Sequence, residues 1–157
     1  MKRHYKFRVM VDEDVRRKYN IRFPAQIEFF VTAYLNDPDG WSTKGYSFEP
    51  VLSNEDVLIR LASPKTVEEK CGVPANLSCA EMNGKHMYLN ADRWFHGSKA
   101  SKLGLEDYRQ YMVSHEIGHI LGFDHKVCPC AGCKAPIMMQ QTLGIGKCNP
   151  NTKITNG

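Results

Sequence analysis

The chain has 157 residues, 42% of them hydrophobic and 24% charged, which suits one globular domain with a real core and leaves no room for a second. Its longest apolar runs fall far short of the ~20 residues needed to cross a bilayer, so no membrane span is expected in the sequence as given. The net charge of +4 is mild, and the basic residues are scattered or gathered in Lys2, Arg3, Lys6, Arg8 and Arg16-Arg17-Lys18 without the interleaved aromatics that stack on bases. A solvated face, not a nucleic-acid surface, is the expectation.

Tyr5 to Val11 alternates as a strand with one buried face does. Pro24 opens a helix with Ile27, Phe30, Val31 and Tyr34 at core spacing, and Asn36-Asp37-Pro38-Asp39-Gly40 ends it. Tyr46 to Leu52 and Val57 to Leu61 read as strands, Ser63-Pro64 starts a short helix that stops at Cys71-Gly72, residues 72–84 read as loop, and His86 to Asn90 reads as a fourth strand. From Leu105 a helix runs to Leu121, with Glu106 and Asp107 in its first turn complementing the helix dipole. Tyr108 and Met112 lie on one face of it and Val113, Ile117, Ile120 and Leu121 on another, the pattern of a helix buried on two sides. Residues 126–157 are irregular and rich in Cys, Gly and Pro. This order of elements predicts an α+β fold with a mixed sheet on one side of a cleft.

The chemistry concentrates in His115-Glu116-Ile117-Gly118-His119-Ile120-Leu121-Gly122-Phe123-Asp124-His125. His115 and His119, four apart on a helix, project from one face and can reach a single ion. Catalytic zinc takes three protein ligands and keeps a fourth position open for water. Gly122 can adopt the left-handed conformation that ends a helix, turning the chain so that His125 points back as the third ligand. Glu116 follows the first ligand by one residue, near the metal but around the helix, where it can act on a zinc-bound water as general base. A helix with ordinary surface or core histidines does not need Gly122 and His125 at these positions. His4, His86 and His96 read as surface or strand residues, not ligands.

The spacing resembles the metzincin metallopeptidases, whose extended motif it matches. That resemblance implies a zincin-like fold with a short irregular C-terminal subdomain, an upper part over about 1–122 and a lower part over about 123–157. It also implies a methionine turn beneath the metal, for which Pro136-Ile137-Met138-Met139-Gln140 is placed, with Met138 as the turn methionine. In metzincins the strand at the place of His86 to Asn90 forms the sheet edge over the cleft, against which an extended peptide pairs. Some members add a tyrosine ligand after the turn; none follows Tyr111 here. More closely, the chain is similar to an uncharacterised actinobacterial family of zincin-like proteins known only as a domain of unknown function. The shared residues run over roughly 41–150 and include Trp41, Leu61-Ala62-Ser63-Pro64, Cys71, Ser78-Cys79, Asn90, Arg93-Trp94, Tyr108-Arg109-Gln110-Tyr111, Cys128-Pro129 and Gln140-Gln141-Thr142-Leu143-Gly144 with Cys148.

Six cysteines make an even set. Cys71 with Cys79 and Cys128 with Cys148 would each close a short loop as disulfides, which points to oxidising surroundings: secreted, periplasmic or virion. The alternative is a second, structural zinc on Cys128, Cys130, Cys133 and Cys148, suited to a reducing compartment and less favoured because a Cys-x-Cys step is unusual in such sites. The relatives are typically exported or tethered, whereas the residues after Met1 include no apolar stretch of a signal peptide.

The expected function is zinc-dependent endopeptidase activity on a peptide or protein substrate, with one catalytic zinc held by His115, His119 and His125 and with Glu116 as general base. The competing readings are a non-catalytic, zinc-stabilised binding or virion protein, and a metal-dependent hydrolase of non-peptide amides. Substrate preference and oligomeric state are not encoded in any recognisable motif.

Overall fold

A computed structural model describes residues 1–154. Its centre is a five-stranded sheet in the order β2-β1-β3-β5-β4, built from β1 (His4–Val11), β2 (Ser47–Pro50), β3 (Val57–Ala62), β4 (Cys79–Ala80) and β5 (His86–Asn90). The strands β2, β1, β3 and β5 run parallel, and β4 runs antiparallel to β5. Parallel neighbours need crossover connections, which helices provide. Those are α1 (Glu13–Lys18), α2 (Pro24–Leu35) and α3 (Pro64–Cys71), with α4 (Ala91–His96) and α5 (Leu105–Ile120) after the sheet. This is the expected α+β class.

Burial fixes the register. Phe7 on β1 sits beside Val57 on β3, and Leu61 on β3 beside Leu89 on β5, all fully buried. A shift by one residue would turn these side chains to the opposite face. The crossover β3–α3 is closed by local chemistry: Ser63 Oγ accepts from the Thr66 amide at the helix start, Pro64 follows it, and Gly72 ends the helix in the left-handed conformation (φ 67°).

Three elements escape the sequence pattern. In α1 only Val15 is buried, so six residues carry no apolar period. The short helix α4 begins at Asn90, whose side chain accepts from the Arg93 amide. The loop expected over 72–84 contains β4, and this corrects the assignment of β5 as the sheet edge: Cys79 pairs with Tyr88 and Ala80 with Met87, so β4 is the edge over the cleft.

On the sheet's site-bearing side, α5 packs on α2, β5 and β4, and every residue from Gln110 to Ile120 is buried. Below it, residues 126–154 are irregular apart from a short 3-10 turn at Gln141–Leu143. Gln141, fully buried, holds this part together by donating to the Pro136 and Asn151 carbonyls and accepting from the Asn151 amide.

All six cysteines are paired. Cys71–Cys79 ties the end of α3 to β4, while Cys128–Cys148 and Cys130–Cys133 lie in the lower part, with Cα separations of 6.4, 5.8 and 5.3 Å. Both anticipated loops are closed, and Cys130 pairs with Cys133. Three such pairs are the mark of an oxidising environment. No helix among the described residues is long and apolar enough to cross a membrane.

Candidate metal centre

The helix α5 ends through a complete Schellman motif. Gly122 has φ of 101°, its amide donates to the His119 carbonyl at 3.0 Å, and the Phe123 amide donates to the Gly118 carbonyl at 2.9 Å. The reversal carries His125 back over the helix as its glycine implied. Potential ligand atoms of His115, His119 and His125 all lie within 4.8 Å of one another, and the Nε2 atoms of His119 and His125 are 3.1 Å apart. His115 and His119 are buried and His125 is exposed at the cleft mouth.

Main-chain carbonyls set the orientation of the two helical rings. Nδ1 of His115 lies 2.8 Å from the Ile137 carbonyl and Nδ1 of His119 lies 2.9 Å from the Phe123 carbonyl. A carbonyl can only accept, so each Nδ1 carries the hydrogen and each Nε2 keeps a lone pair. Burial pushes His115 down to about 3 and also lowers His119, keeping both imidazoles neutral, as metal ligands must be.

Glu116 is buried, with Oε1 3.8 Å from His115 Nε2 and with Oε2 lacking any hydrogen-bond partner. Burial raises its carboxyl to about 8. A cation among the three imidazoles would favour its charged form. Three neutral, carbonyl-oriented nitrogens beside one unpartnered buried carboxylate fit a divalent metal of the kind imidazole prefers.

The chain turns at Ile137 and Met138. The Met139 amide donates to the Pro136 carbonyl, and the Lys126 amide donates to the Met138 carbonyl, which straps the turn to the segment after His125. Met138 is buried with its Sδ against Gly118 of α5. The Tyr111 hydroxyl donates to the Met139 carbonyl and accepts from the Gln141 amide.

Several contributors carry no ligand chemistry and were not singled out by the motif. A Cβ at Gly118 would collide with Met138 and come within 2.9 Å of Trp41 Cζ2, so this helix position requires glycine. The signal was a glycine inside an otherwise helical run. Trp41 donates from Nε1 to the Ser114 carbonyl at 2.8 Å and stacks on Phe123 with ring centroids 4.7 Å apart. Asn83, in the β4–β5 turn, donates its amide to the His119 carbonyl. By contrast, His4 and His86 pair with Glu49 and Glu81 and stand outside the histidine cluster, as does His96.

The three histidines and Glu116 open into a cleft of about 250 Å³ between β4 and the lower part, lined also by Leu77, Cys79, Ala80 and Met82. Because the Glu81 amide bonds the His86 carbonyl, residues 81 and 86 form a hydrogen-bonded pair of the antiparallel ladder. The alternation then turns the amide and carbonyl of Ala80 away from β5, to the outer edge of β4.

The family model described as "Protein of unknown function (DUF3152)" matches residues 1–155. No curated protein matches the chain. Among solved structures, the chain is similar to one described as "Structure of Myroilysin", at 16% identity and a TM-score of 0.43, over 82% of this chain and 46% of that one. The chain thus spans less than half of that structure's length.

Proposed function

This chain belongs to the DUF3152 family, and with that membership as the starting point we propose that it is a zinc-dependent endopeptidase. The observation that carries the reading is the convergence of His115, His119 and His125 within 4.8 Å beside the buried, unpartnered carboxylate of Glu116. A site that only stabilised the fold would not require that carboxylate. A zinc ion held by the three imidazoles would supply Lewis acidity toward a carbonyl and a lowered pKa for water.

The chain's own residues do the rest. Glu116 takes a proton from the attacking water and delivers it to the leaving amine, a role supported by its place beside His115 Nε2. The Ile137 and Phe123 carbonyls keep the ligand rings from turning. The outward amide and carbonyl of Ala80 pair with an extended peptide laid along β4, and the apolar side chains of Leu77 and Met82 flank it. The three disulfides favour work outside the reducing cytosol, in a secreted, periplasmic or virion setting.

The test is metal content by elemental analysis together with cleavage of a peptide library. One zinc per chain, cleavage by wild type and none by Glu116→Gln would support the assignment. A metal-loaded wild type that leaves every peptide intact would overturn it.

A further inference from the structure

A second and larger cavity, about 570 Å³, is lined by Pro136, Ile137 and Met138 and by none of the histidines of the cleft. Its walls are apolar: Trp41, Tyr46, Phe123 and Met138 all face it. Its rim is basic, with Arg3, Lys44 and Lys126 exposed, and no carboxylate is among the described residues that line it. Neither Arg3 nor Lys126 has a carboxylate partner among the described residues. Arg3 is nonetheless held in place: its Nη1 donates to the Lys44 carbonyl at 2.8 Å and its guanidinium lies 4.8 Å over the Tyr46 ring.

An apolar hollow of this size is within the ~300–1,000 Å³ of small-molecule sites. Two unneutralised cations at its mouth select an acidic head on an apolar body, since a guanidinium fork and an ammonium both form charge-assisted hydrogen bonds with a carboxylate. We infer that this cavity is a ligand site for a long-chain fatty acid, its alkyl chain along Trp41 and Phe123 and its carboxylate between Arg3 and Lys126. The site is separate from the histidine cleft and does not depend on hydrolytic activity.

The experiment is calorimetric titration of the whole protein with dodecanoate and, in parallel, dodecanol, on chelator-stripped and zinc-loaded samples. Saturable one-to-one binding of dodecanoate is expected in both samples, weakened about tenfold or more in Arg3→Ala/Lys126→Ala while dodecanol is unaffected by that change. Both rim side chains are exposed, and a thermal melt confirms that the variant is folded. A dodecanoate brominated at the tail end should quench tryptophan emission in wild type and lose that quenching in Trp41→Phe. No binding of dodecanoate, binding indifferent to the rim pair, or quenching that survives in Trp41→Phe would each overturn the site. None of these outcomes bears on whether the histidine cluster binds metal or cleaves peptides.

Discussion

His115 Nδ1 sits 2.8 Å from the carbonyl of Ile137, so the first histidine of α5 is oriented by the backbone of the turn that holds Met138, twenty-two residues later in the chain. The histidine cluster therefore requires the segment after His125 to be docked before His115 is oriented. His119 depends instead on Phe123, four residues on, and is oriented by the helix end itself.

Met138→Ala should test that dependence. Removing a buried methionine side chain costs about 2–5 kcal/mol, and the loosened turn should also displace the Ile137 carbonyl. The expected result is a lower melting temperature together with weaker metal binding in a competition titration. Met138→Leu, close in volume, should lose less than about 1.5 kcal/mol and keep the metal. A Met138→Ala protein with wild-type metal affinity would show that the turn does not hold His115.

Gly118→Ala should destabilise even though alanine is the better helix former by about 1 kcal/mol. The added Cβ meets Met138 and the Trp41 ring, and Trp41 is pinned by its bond to the Ser114 carbonyl. Overpacking of this kind costs about 1–3 kcal/mol. Combined with Met138→Ala, part of that cost should vanish, with a coupling of at least about 0.5 kcal/mol in a denaturant double-mutant cycle. Strict additivity would contradict the packing described.

Glu116→Gln and His125→Ala separate chemistry from binding. Glu116→Gln should retain metal and lose about 10²–10⁴-fold in turnover. His125→Ala, at an exposed position, should leave the metal-free fold nearly unchanged and weaken metal binding strongly, read by calorimetric titration. Undiminished affinity in His125→Ala would remove it from the ligand set.

The disulfides should contribute unequally. Cys128–Cys148 spans 20 residues and Cys71–Cys79 spans 8, so loop entropy favours the former by about 1 kcal/mol. Double serine replacements of each pair, compared by chemical denaturation, check the order. The Cys71–Cys79 replacement should in addition loosen β4, visible as faster amide exchange at Cys79→Ser and Ala80.

Acid should weaken the fold through carboxylates at the sheet margins. The Lys6 amide holds Asp56 below its usual range, the His86 amide does the same for Glu81, and the Tyr19 hydroxyl does so for Asp92. With folded-state values depressed, their contribution is present above the ordinary carboxylate range and is lost as pH falls below that range through the depressed values. Asp56→Asn should flatten the decline in stability measured by urea titrations from neutral pH down to about pH 3.

The site was more legible in the sequence than the sheet. His115, His119, Gly122 and His125 follow from helix geometry, because three ligands and the turn that unites them lie within eleven consecutive residues. The helix ends at Ser63, Pro24 and Gly72 were readable for the same reason: capping is local. The strand β4 was not, since two residues show no alternation and their pairing is decided by Tyr88 and Met87, elsewhere in the chain. The short helix α1 hid behind a single buried side chain, while α4 had a readable cap in Asn90 that its strand assignment concealed. Trp41 is among the residues shared with the family and Ile137 lies in the segment placed as the methionine turn, but what they do was not readable, because their contribution to the site is a contact made across the fold.

The use of main-chain carbonyls to orient His115 and His119 also determines how the centre responds to sequence drift. Where a carboxylate side chain does this work, one codon change abolishes it; a carbonyl survives any replacement at 123 or 137 that preserves the local path of the chain. Replacement at 123 or 137 is therefore limited by packing, of Phe123 on Trp41 and of Ile137 in the core, and not by the ring-orienting bond, while Gly118 and Gly122 hold the path itself.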